Sequence, residues 1–319
     1  GMLARLEKLE LPMAVPSHAV TVMSPKVDAY HDESLRSLFE AVSVDVIDER
    51  IVSVPRAFEE KRAVKTYLLS NVSDATQLRA RLESVADTLS VDCVLQSVSV
   101  RLENYRLAVF DMDSTLIQCE VIDRLAELAG VGEAVAAITE RAMRGELDFQ
   151  GSFRERLGML RGLDESALSE VAANLPITDG MPELILTLRA RGVRTAILSG
   201  GFDYFARHLQ QRYGFDEIHA NRLDISGGKA TGEVVGDIVD GQRKKYLLEK
   251  IAAELSIEHS QVIAVGDGAN DLPMLATAGL GIAFEAKPIV RAQVEHNIRH
   301  IGLDGVLYLL GSSRESNAI

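Results

Sequence analysis

The chain has 319 residues, enough for two domains that each bury a core. Its formal net charge of -13 excludes a protein that holds nucleic acid by clustered Lys and Arg, and would repel an anionic substrate unless the site carries local cations or a metal. Cys93 and Cys119 lie far apart without CxxC or His-rich spacing, so both read as reduced, packed thiols rather than zinc or redox ligands.

At the start, Met2 to Leu11 alternates charged and apolar residues and lacks the apolar core of a signal peptide; Gly1 reads as a remnant of expression. Apolar runs such as Val262 to Val265 and Gly279 to Phe284 stop far short of the ~20 residues that cross a bilayer. A cytoplasmic protein with no membrane partner is expected.

From Ala19 to Val100 the pattern reads strand, helix, strand, strand, helix, strand. Ala19 to Met23 alternates, Glu33 to Ala41 has helical spacing, and Val44 to Val54 with Ala63 to Val72 reads as a strand pair. Ser73 and Asp74 suit the cap of a helix through Leu89, and Val91 to Val100 closes the unit as a β-rich run. This is the βαββαβ order of a ferredoxin-like α+β domain, expected over residues 1–104.

A second regime, residues 105–319, opens with Leu107-Ala108-Val109-Phe110, the profile of a buried parallel strand that delivers Asp111 to its carboxyl end. Val121 to Leu175 is rich in Ala, Leu, Glu and Arg and reads as a helical insertion, a cap at about 121–178. Strand-like runs return at Val193 to Leu198, Glu217 to Ala220, Val262 to Val265 and Leu280 to Phe284. Helical segments such as Met181 to Arg191 and Arg243 to Leu255 lie between them. That alternation predicts a doubly wound, Rossmann-like α/β core. The tail from Ser312 to Ile319 is polar enough to fray.

Asp111 and Asp113, two apart at a strand exit, can point to the same side. A phosphoryl-transfer enzyme can use such carboxylates separately, one as nucleophile and one as general acid then base. An Asp-rich turn capping a helix is the plainer alternative. Ser199-Gly200-Gly201 offers a hydroxyl and backbone N–H groups to phosphate oxygens, although alone it reads more readily as a turn. Lys244, in Asp240-Gly241-Gln242-Arg243-Lys244-Lys245 near a helix start, could neutralise a phosphoryl group, or could be part of a solvated basic face. Gly266-Asp267-Gly268-Ala269-Asn270-Asp271 places two carboxylates four residues apart after a strand, without EF-hand spacing.

These four segments, in this order, resemble the motifs of the haloacid dehalogenase superfamily of phosphohydrolases. The resemblance implies an aspartyl phosphate on Asp111, phosphate contacts from Ser199, Gly200, Lys244 and Asn270, and Mg²⁺ held by Asp111, Asp267 and the backbone carbonyl of Asp113. It also selects Lys244 over Lys245, although Gly241 departs from the family's Asp-Ala-Gln-x-Lys pattern. Cys119 to Asp123, Ile138 to Phe149, Ser152 to Arg156 and Ala286-Lys287-Pro288 narrow the likeness to the bacterial phosphoserine phosphatases, over about residues 107–311. That family implies hydrolysis of O-phospho-L-serine, the last step of serine biosynthesis. Glu120 and Arg156 would then take the substrate's amino and carboxylate groups, with Met143 and Phe149 shaping the pocket. The first unit resembles amino-acid-sensing ACT domains, though its loop Ser24 to Tyr30 lacks the glycine they often use near a ligand. Oligomer contacts, as in a homodimer, or stabilisation of the enzyme are the alternative roles.

Overall fold

In the computed structural model, residues 14–311 are described. The segments read above as Met2 to Leu11 and Ser312 to Ile319 lie outside them. Two compact units are present, one drawn from Gly1–Leu102 with Gly311, the other Glu103–Leu310.

The first unit runs β1 (His18–Ser24), α1 (Asp32–Ala41), β2 (Asp45–Ile51), β3 (Ala63–Ser70), α2 (Ala75–Leu89), β4 (Asp92–Ser97) and α3 (Val98–Arg101). Its antiparallel sheet has the order β2-β3-β1-β4. Alternation puts Val20, Val22, Tyr67 and Leu69 on one face, where they pack on Leu35, Leu38, Phe39, Leu78 and Leu82 of the two long helices. Asp74 caps α2 by accepting from Gln77 N at 3.0 Å. The β-rich run expected to reach Val100 stops at Ser97. That hydroxyl accepts from Val100 N and starts the short helix α3, a local capping choice that overrides the strand preference of Val98 and Val100.

The second unit holds a seven-stranded sheet in the order β11-β10-β9-β5-β6-β7-β8. In chain order it contains β5 (Leu107–Phe110), the cap helices α4 (Val121–Leu128), α5 (Gly132–Met143), α6 (Phe149–Met159) and α7 (Ser166–Ala173), then α8 (Met181–Ala190) and β6 (Arg194–Phe202). There follow α9 (Asp203–Tyr213), β7 (Glu217–Ser226), β8 (Lys229–Val235), α10 (Gly241–Glu254), β9 (Val262–Gly266), α11 (Leu272–Thr277), β10 (Leu280–Phe284), α12 (Pro288–Arg291), β11 (His296–Ile298) and α13 (Gly305–Tyr308). Every pairing is parallel except β7 with β8, so the sheet is mixed.

The short strand expected at Glu217 to Ala220 is thus a ten-residue strand that turns at Gly227-Gly228 into an antiparallel partner. Both glycines have left-handed φ, 59° and 75°, as a two-residue hairpin turn requires. Leu107 and Val109 of β5, with Ala196, Leu198, Val262 and Ala264, bury one sheet face against Leu247, Leu248 and Ile251 of α10 and Met274 of α11. The cap leaves and rejoins the core through a stitched neck, in which Gln118 N donates to Pro176 O at 2.7 Å and Thr178 N to Leu116 O at 3.0 Å. Among the described residues no helix is long and apolar enough to cross a membrane.

Candidate active site

Strand β5 is buried along its whole length, so its first chance to present a polar side chain is its carboxyl end. Asp111 stands there, its Oδ1 accepting from Met112 N at 2.9 Å. The next residues turn tightly, with Leu116 N donating to Met112 O at 2.9 Å and Ser114 at a left-handed φ of 60°. Asp113 is brought back beside Asp111 by this turn, and both are buried.

On the neighbouring strand β6, Ser199 is buried and its Oγ accepts from Gly201 N at 2.9 Å. The segment read as a possible turn is instead a continuation of the strand with a break in register between Leu198 and Phe202. Asn221 fixes the break from β7, donating to Gly200 O at 2.9 Å while accepting from Val239 N at 2.8 Å. A Cβ on Gly200 would lie 2.7 Å from the tip of the Phe149 ring, so the glycine leaves room for that ring to settle against the core.

Helix α10 begins at Gly241, with Asp240 as its cap. One turn in, Lys244 is fully buried and its Nζ donates to Asp111 Oδ1 at 3.0 Å and to Asp271 Oδ1 at 2.7 Å. Lys245, about 100° further round the helix, is only half-buried. After β9, a 3₁₀ turn at Ala269–Asp271 folds Asp271 back, so that its Oδ2 accepts from the N–H groups of Asp267 and Gly268 at 3.0 and 3.1 Å. Asp267 Oδ1 accepts from the Thr115 hydroxyl at 3.2 Å.

Asp111, Asp267 and Asp271 offer carboxylate oxygens that all lie within 4.8 Å of one another. Burial pushes Asp111 up to about 6, with Lys244 pulling the other way and Asp267 adding to the rise. Burial and then Asp271 push Asp267 to about 8, while burial and then Asp111 push Asp271 to about 7. Burial opposes the Lys244 ammonium, but Asp111 and Asp271 hold it above the usual lysine value. Asp113 is held well above the carboxylate range, first by burial and then by Asp111. That direction favours the protonated form, the one a general acid starts from.

The donor set fits a divalent cation. Asp271 has both oxygens engaged and serves as an anchor, whereas Asp267, clustered with Asp111, has its Oδ2 buried without a partner. All-oxygen donors suit a hard ion, which would displace the proton that Asp267 otherwise keeps.

The cap supplies the other wall. A cavity is lined by Asp111, Asp113, Gly200, Gly201 and Asn270 from the core and by Glu120, Ile122, Met143, Phe149, Phe153 and Arg156 from the cap side. Of the residues expected from sequence, eight line this cavity, and Ser199, Lys244 and Asp267 stand behind it. Glu120 occupies the N-cap position of α4 but makes no cap bond; its Oε1 accepts from the Ser114 hydroxyl at 3.1 Å. Burial and then Asp113 raise its carboxyl well above the usual range. Arg156 is buried, donating through Nε to Ser152 O at 3.1 Å and through Nη1 to Thr139 Oγ1 at 3.0 Å, rather than to Glu120.

The rings of Phe149 and Phe153 stack with centroids 6.1 Å apart, and Met143 rests on Gly268, where a Cβ would approach its sulfur to 3.0 Å. Among the described residues, Asp113 Oδ1, Arg156 Nη2, Asp267 Oδ2 and Asn270 Oδ1 are buried polar atoms without a hydrogen-bond partner, and all four belong to this site. A buried polar group left unpaired calls for an explanation, and here a bound ion, water or substrate supplies one.

Asp271, Asn221, Ser114, Thr115 and Thr139 were not expected as site residues. Asp271 had a signal, since it closes the same Gly-rich segment as Asp267. The hydroxyls and Asn221 had none, because only tertiary contact gives them partners.

A profile of the haloacid dehalogenase-like hydrolase family matches residues 105–279. A phosphoserine phosphatase of Haemophilus influenzae is 48% identical over 225 residues, 70% of this chain and 72% of that protein. One from Streptococcus thermophilus is 48% identical over 204 residues, 64% of this chain and 95% of that protein. The crystal structure of a probable phosphoserine phosphatase from Vibrio cholerae, in unliganded form, superposes with a TM-score of 0.75 and 34% identity, covering 99% of this chain and 94% of that one. The ordered motifs, the cavity they enclose and these likenesses place the chain among the haloacid dehalogenase-like hydrolases, in the family of the phosphoserine phosphatases.

Proposed function

We propose that the chain hydrolyses O-phospho-L-serine to L-serine and phosphate by two displacements at Asp111, completing serine biosynthesis. One observation carries this reading: a single cavity joins the acid pair Asp111 and Asp113 to a carboxylate and a guanidinium, Glu120 and Arg156, on its cap side. The first two suit any phosphomonoester, whereas the second two match the ammonium and carboxylate of an amino acid.

In the first step an Asp111 oxygen bonds to phosphorus as the bond from phosphorus to the serine oxygen breaks, and Asp113 passes its proton to that oxygen. In the second, Asp113 takes a proton from a water whose oxygen bonds to phosphorus, and the bond to Asp111 breaks to release phosphate. Lys244, Ser199, the Gly200 backbone and Asn270 receive the phosphoryl oxygens. Met143 and Phe149 close over the substrate and keep out bulk water. Asp111, Asp267 and the Asp113 carbonyl would hold Mg²⁺, which offsets charge on the phosphoryl group when bound.

We assign residues 1–104 to a ferredoxin-like, ACT-like domain with a role in assembly, as in a homodimer, or in sensing, and residues 105–319, with a cap at about 121–178, to the phosphatase, acting in the cytoplasm. The test of the activity is phosphate release across phosphorylated amino acids, sugars and nucleotides, with Mg²⁺ and with chelator. Selective, Mg²⁺-dependent turnover of phosphoserine is expected. A sugar or nucleotide phosphate preferred over phosphoserine would overturn the substrate, and full activity in chelator would overturn the metal.

A further inference from the structure

Helix α5 reads Gly132-Glu133-Ala134-Val135-Ala136-Ala137-Ile138-Thr139-Glu140-Arg141-Ala142-Met143, an Ala-rich helix with a β-branched, polar residue at a buried position. Packing and helix propensity both favour alanine there. The Thr139 hydroxyl instead joins three helices of the cap: its oxygen lies 2.6 Å from Asp123 Oδ1 on α4 and 3.0 Å from Arg156 Nη1 on α6.

A guanidinium can only donate, so Thr139 accepts from Arg156 and its single proton goes to Asp123. The hydroxyl is thereby fixed in direction, and it fixes the guanidinium in turn. Nε is already committed to Ser152 O, one helical turn back, which locks the plane from the other end. What remains is Nη2, buried and without a partner, on a residue that lines the cavity. An arginine side chain has enough rotamer freedom that recognition weakens unless its fork is held before the ligand arrives.

We propose that Thr139, oriented by Asp123, is a positioning residue that sets Arg156 for the carboxylate of the substrate. This rests on the assignment of Arg156 to that carboxylate. Neither Thr139 nor Asp123 lines the cavity, so they act through Arg156 alone.

The test is steady-state kinetics of T139V, T139S, R156A and the T139V/R156A double variant on phosphoserine and on an aryl phosphate without a carboxylate. Valine keeps the shape of threonine and removes the relay. T139V should raise KM for phosphoserine about tenfold with kcat changed less than about threefold, lowering the ratio of kcat/KM on phosphoserine to that on the aryl phosphate. T139S, which keeps the hydroxyl, should restore that ratio, and T139V should not lower it further once R156A is present. If R156A lowers the ratio while T139V leaves it at the wild-type value, the relay is overturned and the role of Arg156 stands. If R156A costs both substrates alike, the assignment of Arg156 fails and the relay with it. Equal loss on both substrates in T139V, with R156A still selective, would make Thr139 a packing residue of the cap and overturn the proposal.

Discussion

Three acids gathered where β5 and β9 end have a consequence for stability. Burial and mutual repulsion raise Asp111, Asp271 and Asp267 to about 6, 7 and 8, so each holds its proton more tightly in the folded chain than in the unfolded one. A carboxyl raised in this way favours the fold fully below its unfolded value near 3.8, and that advantage is lost as pH climbs through the folded value. For Asp111 alone the loss is roughly 3 kcal/mol above pH 6. The metal-free protein should therefore melt at lower temperature as pH rises from 5 to 8. A divalent cation binds the deprotonated acids, so its effect runs the other way: Mg²⁺ should raise Tm by on the order of 5 °C at pH 8 and by little at pH 5. Calorimetry with and without chelator checks this, and a Mg²⁺ shift larger at pH 5 would contradict the metal assignment of Asp111 and Asp267.

At the scale of elements, the hairpin of β7 and β8 is tied to the far end of the cap. Gly162 N donates to Ala230 O at 2.8 Å, Ala230 N to Leu163 O at 2.8 Å, and Glu165 N to Gly228 O at 2.9 Å. These bonds depend on the turn, and Gly228 has φ 75° with nothing closer than 3.6 Å to an added Cβ. Conformation, not space, then demands glycine. G228V should cost about 1–2 kcal/mol and speed amide exchange at Gly162 and Glu165 while β5 and β9 stay protected. G228N, which tolerates the left-handed region, should recover most of the loss. Exchange unchanged in G228V would mean that the cap does not lean on the hairpin. The hairpin was not read from the sequence, because Arg222 to Val235 alternates weakly, although its turn, Gly227-Gly228, is a residue pair that two-residue hairpins favour. Asp111, Asp113 and Asp267 were legible because a strand exit is a local event: four to five apolar residues and then an acid. Thr139 and Ser114 were not, since a hydroxyl is informative only once the fold brings Arg156 or Glu120 to it.

At the scale of the whole chain, every residue assigned to the chemistry falls within Glu103–Leu310, one of the two compact units. That unit has its own core across β5, β6, β9, α10 and α11, and both walls of the cavity arise inside it. The relative from Streptococcus thermophilus, matched over 204 residues that make up 95% of its length, leaves little room for a counterpart of the first unit. A fragment of residues 103–310 should therefore fold by itself and hydrolyse phosphoserine with kcat within about threefold of the full chain, since no transition-state contact is removed. If the first unit serves as an assembly or sensing module, its removal will show instead in the oligomeric state by sedimentation, or in the response to added L-serine. A fragment that melts cooperatively but has lost kcat on both phosphoserine and an aryl phosphate would mean that the first unit is needed to hold Asp111, Asp113 and Lys244 in register. Loss confined to phosphoserine would locate the dependence in the cap, at Glu120 and Arg156.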